Sequence, residues 1–240
     1  MIHFQHVTRT YGEQIAVDDL ELSAAKGELL AMLGHNGAGK STSIKMLVGL
    51  LNPSKGTIRV GPYDVAENPR ESSRLIGYVP DQPYLYDKLS GREFLQFVAE
   101  MHGLTTAETR DALDREATRF ELGGFLDRLA ESYSHGMQQR TVFAAALIHD
   151  PEVLVVDEPM VGLDPHSIRL VKDLMREYVH AGKTVLMSTH ILSVAEEIAD
   201  RVAVLKSGEL LFEGNVSELR VSIPEAGESL ESLYLSLMGQ

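Results

Sequence analysis

The hydrophobic pattern near the start of the chain predicts short strands separated by turns. Apolar and polar residues alternate over Ile2–Val7, and apolar residues lie between turn-prone segments over Ile15–Leu22. Leu29–Leu33 is a continuous apolar run, which is typical of a strand buried on both faces. Thr57–Val60 predicts a further strand before a Gly-Pro turn. This part of the chain therefore predicts an N-terminal antiparallel β region beside a buried strand.

A helical period first appears after Lys40. Ile44, Leu47, Val48 and Leu51 recur at spacings of three and four residues, which is the period of one helix face. An Asn-Pro pair follows and ends the pattern. The sequence thus predicts a buried strand, a loop and a helix in direct succession.

Residues from about 90 to 149 form a predominantly helical stretch. Apolar residues between Phe94 and Met101 mark one helix face, and two more helices are predicted over Thr106–Phe120 and Gln138–Ile148. A buried strand over Val153–Val156 follows directly. The predicted parts are an α/β core (1–82 and 150–215), an inserted helical lobe (83–149) and a C-terminal helical tail (216–240).

The second half of the core alternates between helix and strand. The predicted elements are a helix over Ile168–His180, a strand over Thr184–Ser188, a hairpin of Arg201–Leu205 and Glu209–Glu213, and a terminal helix with apolar residues at Leu230, Leu233, Tyr234 and Leu237.

The composition of the 240 residues narrows the class of protein. Hydrophobic residues at 44% and charged residues at 24% are ordinary for a globular domain. The absence of cysteine excludes disulfides, thiolate metal sites and cysteine nucleophiles. A net charge of −13 argues against a nucleic-acid partner. No apolar run approaches the length of a membrane span and no secretory leader opens the chain, so we expect a cytoplasmic protein.

A glycine-rich segment between the buried strand and the first helix has the pattern of a phosphate-binding loop, G-x-x-x-x-G-K-[ST]. The segment is Gly34-His35-Asn36-Gly37-Ala38-Gly39-Lys40-Ser41. Its glycines let backbone N–H groups surround phosphates at a helix N-terminus. Lys40 can reach the β- and γ-phosphates, and the Ser41 hydroxyl can bind Mg²⁺.

Two acids end the buried strand that follows the helical stretch. Asp157 is placed to bind Mg²⁺ directly or through water, and Glu158 can polarise an attacking water as a general base. Together with the phosphate loop, these acids predict a nucleoside-triphosphate hydrolase. The predicted fold class is α/β, a P-loop NTPase core with an inserted helical lobe.

At this point the sequence resembles the ATP-binding cassette (ABC) family, the nucleotide-binding subunits of transporters. Ser134-His135-Gly136-Met137-Gln138-Gln139-Arg140 resembles the family's L-S-G-G-Q segment. The resemblance implies that Ser134 and Gly136 contact the γ-phosphate of an ATP held by a second subunit. It also implies that the loop from Gly34 to Thr42 binds ATP.

The L-S-G-G-Q-like segment departs from the family pattern at three positions. Tyr133 replaces leucine, His135 replaces the first glycine and Met137 replaces glutamine. His135 can either crowd the nucleotide or point into solvent, and we expect the second. The methionine resembles a variant common in exporter-type ATPases.

Three further positions match the family. The resemblance implies that Tyr11 stacks on adenine and that Asp164, in Gly162-Leu163-Asp164-Pro165, helps join two subunits. It assigns His190, after a strand, to the switch histidine that contacts the γ-phosphate. The lid position near residue 80 is ambiguous, since strict register gives Asp81 and a shift by one residue gives Gln82; either side chain can serve the metal.

The residues and the resemblance agree on an ATPase that works as a dimer and drives a separate transmembrane permease subunit at the inner face of the membrane. Export is favoured over import. The resemblance implies that Tyr84, Leu85 or Tyr86 anchors a short helix of the membrane subunit, and the alternative for some of them is packing under the helical lobe. The alternatives are a soluble ABC ATPase acting in DNA repair or translation, and a non-hydrolysing regulatory cassette. The second is disfavoured because Lys40 and the acids are present.

Overall fold

The computed structural model describes residues 1–222 and 229–239 of the chain. Its larger sheet has six strands, of which five neighbouring strands are parallel and one edge strand is antiparallel. In spatial order these strands are β10 (Glu209–Gly214), β9 (Arg201–Lys206), β3 (Leu29–Leu33), β8 (Thr184–Thr189), β7 (Val153–Asp157) and β6 (Ile76–Val79). The arrangement confirms an α/β fold.

A smaller antiparallel sheet covers one face of the molecule, as the N-terminal pattern predicts. In spatial order its strands are β2 (Gln14–Ala24), β1 (Ile2–Tyr11), β4 (Lys55–Val60) and β5 (Tyr63–Asp64). The inward residues of β1, including Ile2, Phe4 and Val7, are buried in a core shared with α1 (Lys40–Leu47). This sheet therefore packs beside the helix that follows the phosphate loop.

The central strands β3, β7 and β8 are buried along their whole lengths. Their register places Leu33 opposite Thr189, and Asp157 opposite Ser188. Parallel strands end at the same edge of a sheet, and the crevice beyond that edge is where open α/β sheets bind ligands. Residues that follow the three strands consequently meet at one place.

Helices supply the rest of the buried core. After α1, they are α2 (Pro69–Arg74), α3 (Gly91–Met101), α4 (Thr106–Arg119), α5 (His135–Leu147), α6 (Pro165–His180), α7 (Leu192–Ile198), α8 (Val216–Ser222) and α9 (Leu230–Met238). Helices α3, α4 and α5 pack on one another, and α5 also contacts β6. Ser90 and Thr105 begin α3 and α4 with reciprocal capping boxes, which fix both helix starts. The exact borders of the helical lobe stay a prediction.

Helix α1 is shorter than the apolar period predicts. It ends at Leu47, and Leu51 lies outside it. Gly49 has a φ of +77°, and the N–H groups of Leu50 and Leu51 both donate to the carbonyl oxygen of Lys45. A glycine in the left-handed region is a common helix terminator, and here it outweighs the period.

Several short elements lacked a sequence signal. Helix α2 has no apolar period, β6 has only four residues, and α7 follows a strand end without a recognised cap. The predicted C-terminal tail contains α8 and α9, while its residues 223–228 and 240 lie outside the described residues. None of the described helices combines the length and apolar character that a membrane span requires.

Candidate active site

The phosphate loop connects the end of β3 to the start of α1. Gly39 has a φ of +103°, and a Cβ at this position would lie 2.8 Å from the carbonyl oxygen of Ala16. A Cβ at Gly34 would meet both Ala38 Cβ and the Leu205 carbonyl oxygen at 2.7 Å. Close packing therefore requires glycine at both positions. Helix α1 starts with no side chain capping its N–H groups. A helix start with free N–H groups suits an anionic ligand.

A cavity of about 560 Å³ opens beside this loop. Its lining residues are Tyr11, Gln14, Ile15, Ala16, His35, Asn36, Gly37, Ala38, Gly39, Lys40, Ser41, Thr42, Asp81, Glu158 and Ser207. Most of the sequence-predicted nucleotide residues thus face one space. Gly34 does not line it, because the loop buries its start against Leu205.

Lys40, Glu158 and His190 form a continuous polar chain beside the cavity. Lys40 Nζ donates to the carbonyl oxygen of Gly34 at 2.6 Å and lies 3.4 Å from Glu158 Oε1. The other carboxylate oxygen, Oε2, lies 2.9 Å from His190 Nδ1 and 3.3 Å from the His190 backbone nitrogen. The Lys40 and Glu158 side chains are 5% and 15% exposed, so this pair is shielded, whereas His190 reaches solvent.

The backbone holds Glu158 in an unusual conformation. Its φ is +49°, in the left-handed region that non-glycine residues seldom occupy. The Glu158 N–H group donates to Ser188 Oγ at 3.0 Å and to the Ser188 carbonyl oxygen at 3.2 Å. Strained residues of this kind cost about 1–3 kcal/mol and concentrate at functional sites. Ser188 therefore supports the turn that aims the Glu158 carboxylate.

Ser41 lines the cavity, and its hydroxyl contacts Asp157, which is buried and does not line the cavity. Ser41 Oγ donates to Asp157 Oδ1 at 3.3 Å, and Ser188 Oγ donates to the same oxygen. Burial raises the pKa of Asp157, and the hydrogen bonds from Ser188 and Ser41 oppose that rise. A hydroxyl and a carboxylate that converge on one point are the donor types that Mg²⁺ prefers, so these residues fit a magnesium ion.

The two lid candidates are placed differently. Asp81 lines the cavity, whereas Gln82 is exposed and does not line it. Tyr11 lies at the cavity mouth with 46% of its surface exposed, and the Arg9 guanidinium lies 4.7 Å from the centre of its ring. The structure therefore brings Asp81 and Tyr11 to the same space as the phosphate loop.

The L-S-G-G-Q-like segment lies elsewhere in the subunit. Ser134 Oγ accepts a hydrogen bond from the Met137 N–H at 3.3 Å and so caps α5. Ser134 and Gly136 are absent from the lining of the phosphate-loop cavity, as far as the described residues define it. Asp164 caps α6 by accepting hydrogen bonds from the N–H groups of His166 and Ser167. One chain alone does not bring these residues to its own cavity.

Sequence reasoning missed two contacts of the site. Ser188 hydrogen-bonds the Asp157 side chain, and its only sequence signal is its place two residues before His190 at a strand end. The backbone of His35, in the phosphate loop, lies near enough to Tyr234 in α9 to lower the pKa of its hydroxyl. Burial has the larger effect and raises the pKa of Tyr234. Nothing in the sequence signals this contact, since Tyr234 and His35 lie at opposite ends of the chain.

A second cavity, of about 330 Å³, lies between the larger sheet and the helical layer. Tyr84 lines it with 72% of its surface exposed. Tyr86 is 47% exposed and packs edge-to-face against Phe97, but Leu85 is only 5% exposed and belongs to the core. The expectation that Leu85 is an available anchor is therefore wrong, because the helical layer already buries its side chain.

Two histidines at the same cavity stack on each other. The rings of His102 and His149 have centroids 3.6 Å apart and lie nearly parallel. His149 Nε2 lies 3.2 Å from the carbonyl oxygen of Ile76. Burial and the neighbouring His102 lower the pKa of His149 to about 4. Burial likewise lowers the pKa of His102, with a further contribution from Arg74.

Comparison with known proteins agrees with this geometry. The family model described as "ABC transporter" matches residues 17–161. The chain is 34% identical over 222 residues to the ABC transporter ATP-binding protein NatA of Bacillus subtilis (strain 168), covering 92% of this chain and 89% of that protein. It is 39% identical over 217 residues to the daunorubicin/doxorubicin resistance ATP-binding protein DrrA of Streptomyces peucetius, covering 90% of this chain and 66% of that protein.

Solved structures give the same result. An ATP-binding subunit of an ABC transporter superposes with a TM-score of 0.93 and 33% identity, covering 99% of both chains. An ATP-binding cassette in a dimeric post-hydrolysis state, bound to ADP and Pi, superposes with a TM-score of 0.82 and 27% identity, covering 90% of this chain and 98% of that one. With the phosphate loop, the strand-end acids and these matches in agreement, the chain belongs to the ABC transporter family, in which it is an ATP-binding ATPase.

Proposed function

We propose that this ATPase is the energy-supplying subunit of a transporter, and that it drives export through a separate membrane subunit. Two copies, or one copy and a related cassette, would close around ATP and reopen after hydrolysis. The observation that carries the proposal is the Lys40–Glu158–His190 chain at the edge of the phosphate-loop cavity. These three side chains provide the charged groups that ATP hydrolysis requires.

Lys40 acts on the phosphates in this proposal. Its ammonium group is buried against the carbonyl oxygen of Gly34 and the Glu158 carboxylate, so it stands beside the loop without solvent competition. A phosphate group that enters the loop offers Lys40 a stronger acceptor than a neutral carbonyl. Ser41 and Asp157 would hold Mg²⁺, with Asp81 or Gln82 completing the set. When bound, the ion neutralises charge on the phosphate oxygens.

Glu158 is the proposed general base, and His190 is the proposed contact to the γ-phosphate. The Glu158 carboxylate is anchored through both oxygens, one toward Lys40 and the other toward His190. Proton transfer to such a carboxylate requires the attacking water within hydrogen-bond reach of Oε1 or Oε2. His190, which is partly exposed, can turn from Glu158 toward a phosphate without leaving a buried group unpaired.

A second subunit is proposed because Ser134 and Gly136 lie away from their own cavity. In the proposed dimer they complete the site of the partner subunit, and Asp164 lies at the junction. The dimeric form of the related cassette that holds ADP and Pi supports this arrangement. The ATP site of one chain would then remain incomplete until the dimer closes.

The membrane partner is proposed from two observations. The cavity lined by Tyr84 has an open, partly apolar surface between the core and the helical layer, where a short helix of another protein can pack. Relatives named for daunorubicin/doxorubicin resistance and for bacitracin transport favour export of a compound out of the cell. The location we propose is the inner face of the membrane, through that partner.

Co-purification tests this function directly. The tagged chain is purified from detergent-solubilised membranes of its native cells, and the proteins that accompany it are identified by mass spectrometry. We expect a protein with several membrane spans. Recovery of ribosomes or of DNA-repair factors in its place contradicts the proposal and supports a soluble ABC ATPase.

A further inference from the structure

The His135 side chain spans the gap between the start of α5 and the turn before α6. Its ring is largely exposed, yet Nε2 lies 3.5 Å from the carbonyl oxygen of Val161, at the outer limit of a hydrogen bond. A Cβ added at Gly162 would lie 3.0 Å from that Nε2 and 3.2 Å from Cδ2. The ring is therefore seated on the Val161–Gly162 turn, at a place where only glycine leaves room for it.

His135 lies between Ser134 and Gly136 in the chain, so its contacts affect where both residues lie. Ser134 caps α5 and His135 is the first residue of that helix, so the imidazole and the serine belong to one rigid turn. A Cβ at Gly136 would lie 4.0 Å from the Asp164 carboxylate, which itself caps α6. The contact of His135 with Val161 thus joins the two helix starts that carry Ser134 and Asp164.

A second link joins the same helices further along α5. Arg140 Nη1 lies 3.7 Å from Glu121 Oε2, and His166 Nε2 lies 3.4 Å from the same oxygen. Glu121 and His166 are more than half exposed, and pairs of this kind contribute little and are screened by salt. Arg140 makes its contact with Glu121 from the middle of α5, whereas His135 makes its contact from the first residue of the helix. Ser134 and Gly136 lie on either side of that first residue.

We infer that His135 is a positioning residue, whose imidazole fixes Ser134 and Gly136 relative to the Val161–Asp164 turn of its own subunit. The orientation in which these two residues meet the nucleotide of the second subunit then depends on His135. The inference rests on the proposed function, because the two-subunit site belongs to that proposal. Residue 135 is one of the positions at which this chain departs from the family pattern.

The proposed contact requires an N–H donor from residue 135 that reaches the carbonyl oxygen of Val161. A neutral imidazole with its proton on Nε2 and a doubly protonated imidazolium both donate to the carbonyl oxygen of Val161. Glutamine places an amide nitrogen near the position of Nε2, whereas asparagine is one methylene shorter and does not reach it. His135→Gln and His135→Asn therefore form a matched pair that differs in reach and keeps a polar amide.

The test compares ATP hydrolysis by His135→Gln, His135→Asn and His135→Gly. Loss of one net hydrogen bond corresponds to a fall in kcat of about 3- to 10-fold, which we expect for His135→Asn and His135→Gly. The affinity of the monomeric chain for ATP should stay unchanged, because His135 does not line that chain's own phosphate-loop cavity. His135→Gln should keep kcat within about 2-fold of the unmodified chain, since it restores the donor. Melting temperatures of all variants serve as the stability control.

Three results with the His135 variants overturn the inference. The first is an unchanged kcat for His135→Gly, and the second is equal kcat values for the glutamine and asparagine variants. The third is a fall in kcat that is matched, in every variant, by a fall in its melting temperature. Ser134→Ala, measured in parallel, separates the two proposals. Unchanged turnover of Ser134→Ala overturns the two-subunit site and the inference with it, whereas a lowered turnover beside an unchanged His135→Gly overturns the inference alone. Should His135→Gly not fold, the glutamine and asparagine pair still decides.

Discussion

The imidazole of His190 lies 2.9 Å from the carboxylate of Glu158, across the edge where β7 and β8 end. The two residues are 32 positions apart in the chain, and the parallel pairing of Asp157 with Ser188 brings them together. The pair also explains why His190, although half-exposed, has a defined orientation. A loop histidine thus comes to lie beside Glu158 through a sheet register.

Replacing His190 tests the proposed role of this histidine in ATP hydrolysis. His190→Ala should lower kcat about 100-fold, since removal of one positioned donor to a transition state commonly costs 10²–10³. ATP affinity should change little, because Lys40 and the loop glycines remain. The measurement is steady-state phosphate release beside equilibrium binding of a fluorescent ATP analogue. His180→Ala, an exposed histidine at the end of α6, is the control and should behave like the unmodified chain.

The stacked histidines predict a pH-dependent stability. The pKa of His149 is lowered to about 4 by burial and by His102, with Asp150 acting in the opposite sense and Lys183 in the same sense. A lowered pKa contributes stability above the unfolded-state pKa of about 6.5, and that contribution is lost as the pH falls toward 4. The urea midpoint of the unmodified chain should therefore fall between pH 7 and pH 5.

His149→Gln isolates this titration. A glutamine can keep a donor toward the Ile76 carbonyl oxygen, which His149 contacts at 3.2 Å, and it has no charge to gain. The variant should lose less stability than the unmodified chain between pH 7 and pH 5. Equal losses in the two proteins would show that other groups carry the pH dependence.

The chemistry of the site could be predicted from sequence where the signal is local. The strand, loop and helix around Lys40, and the strand that ends in Asp157, are contiguous patterns in which apolar runs and glycines act over a few residues. The structure has both, at the predicted places. Only the end of α1 differs, because the positive φ of Gly49 stops the helix before its apolar period ends.

The remaining contacts depend on tertiary packing. The hydrogen bond of Ser188 to Asp157 follows from strand register, and the proximity of Tyr234 to the His35 backbone follows from how α9 docks on the core. Neither leaves a local pattern. For the same reason the burial of Leu85 was not predicted, since its neighbours Tyr84 and Tyr86 are exposed and the three look alike in sequence.

The Tyr84→Ala variant tests the proposed contact with a membrane subunit. Tyr84→Ala should reduce recovery of the membrane subunit while ATP hydrolysis by the isolated chain stays unchanged, because an aromatic anchor commonly contributes about 2 kcal/mol or more. Met101→Ala removes an equally exposed side chain, also 72% exposed, that does not line the cavity, and should leave recovery unchanged. Equal recovery with both variants contradicts an anchoring role.

Leu85→Ala should behave differently from Tyr84→Ala. Its side chain is buried under the helical layer, so truncation should lower the free energy of unfolding by about 2–5 kcal/mol. Chemical denaturation measures that loss. A variant as stable as the unmodified chain would contradict the burial of Leu85.

Glu158→Gln tests whether this chain hydrolyses ATP in a closed dimer with Glu158 as the base. Turnover should fall by at least about 100-fold, because the general base is lost, while ATP binding persists. With ATP, the variant should elute at about twice its 26.5 kDa mass in light-scattering chromatography, and without ATP as a monomer. Lys40→Ala should lose nucleotide affinity and form no such dimer, and the exposed Glu100→Gln should match the unmodified chain. Near-native ATP turnover by Glu158→Gln would show that Glu158 is not the general base.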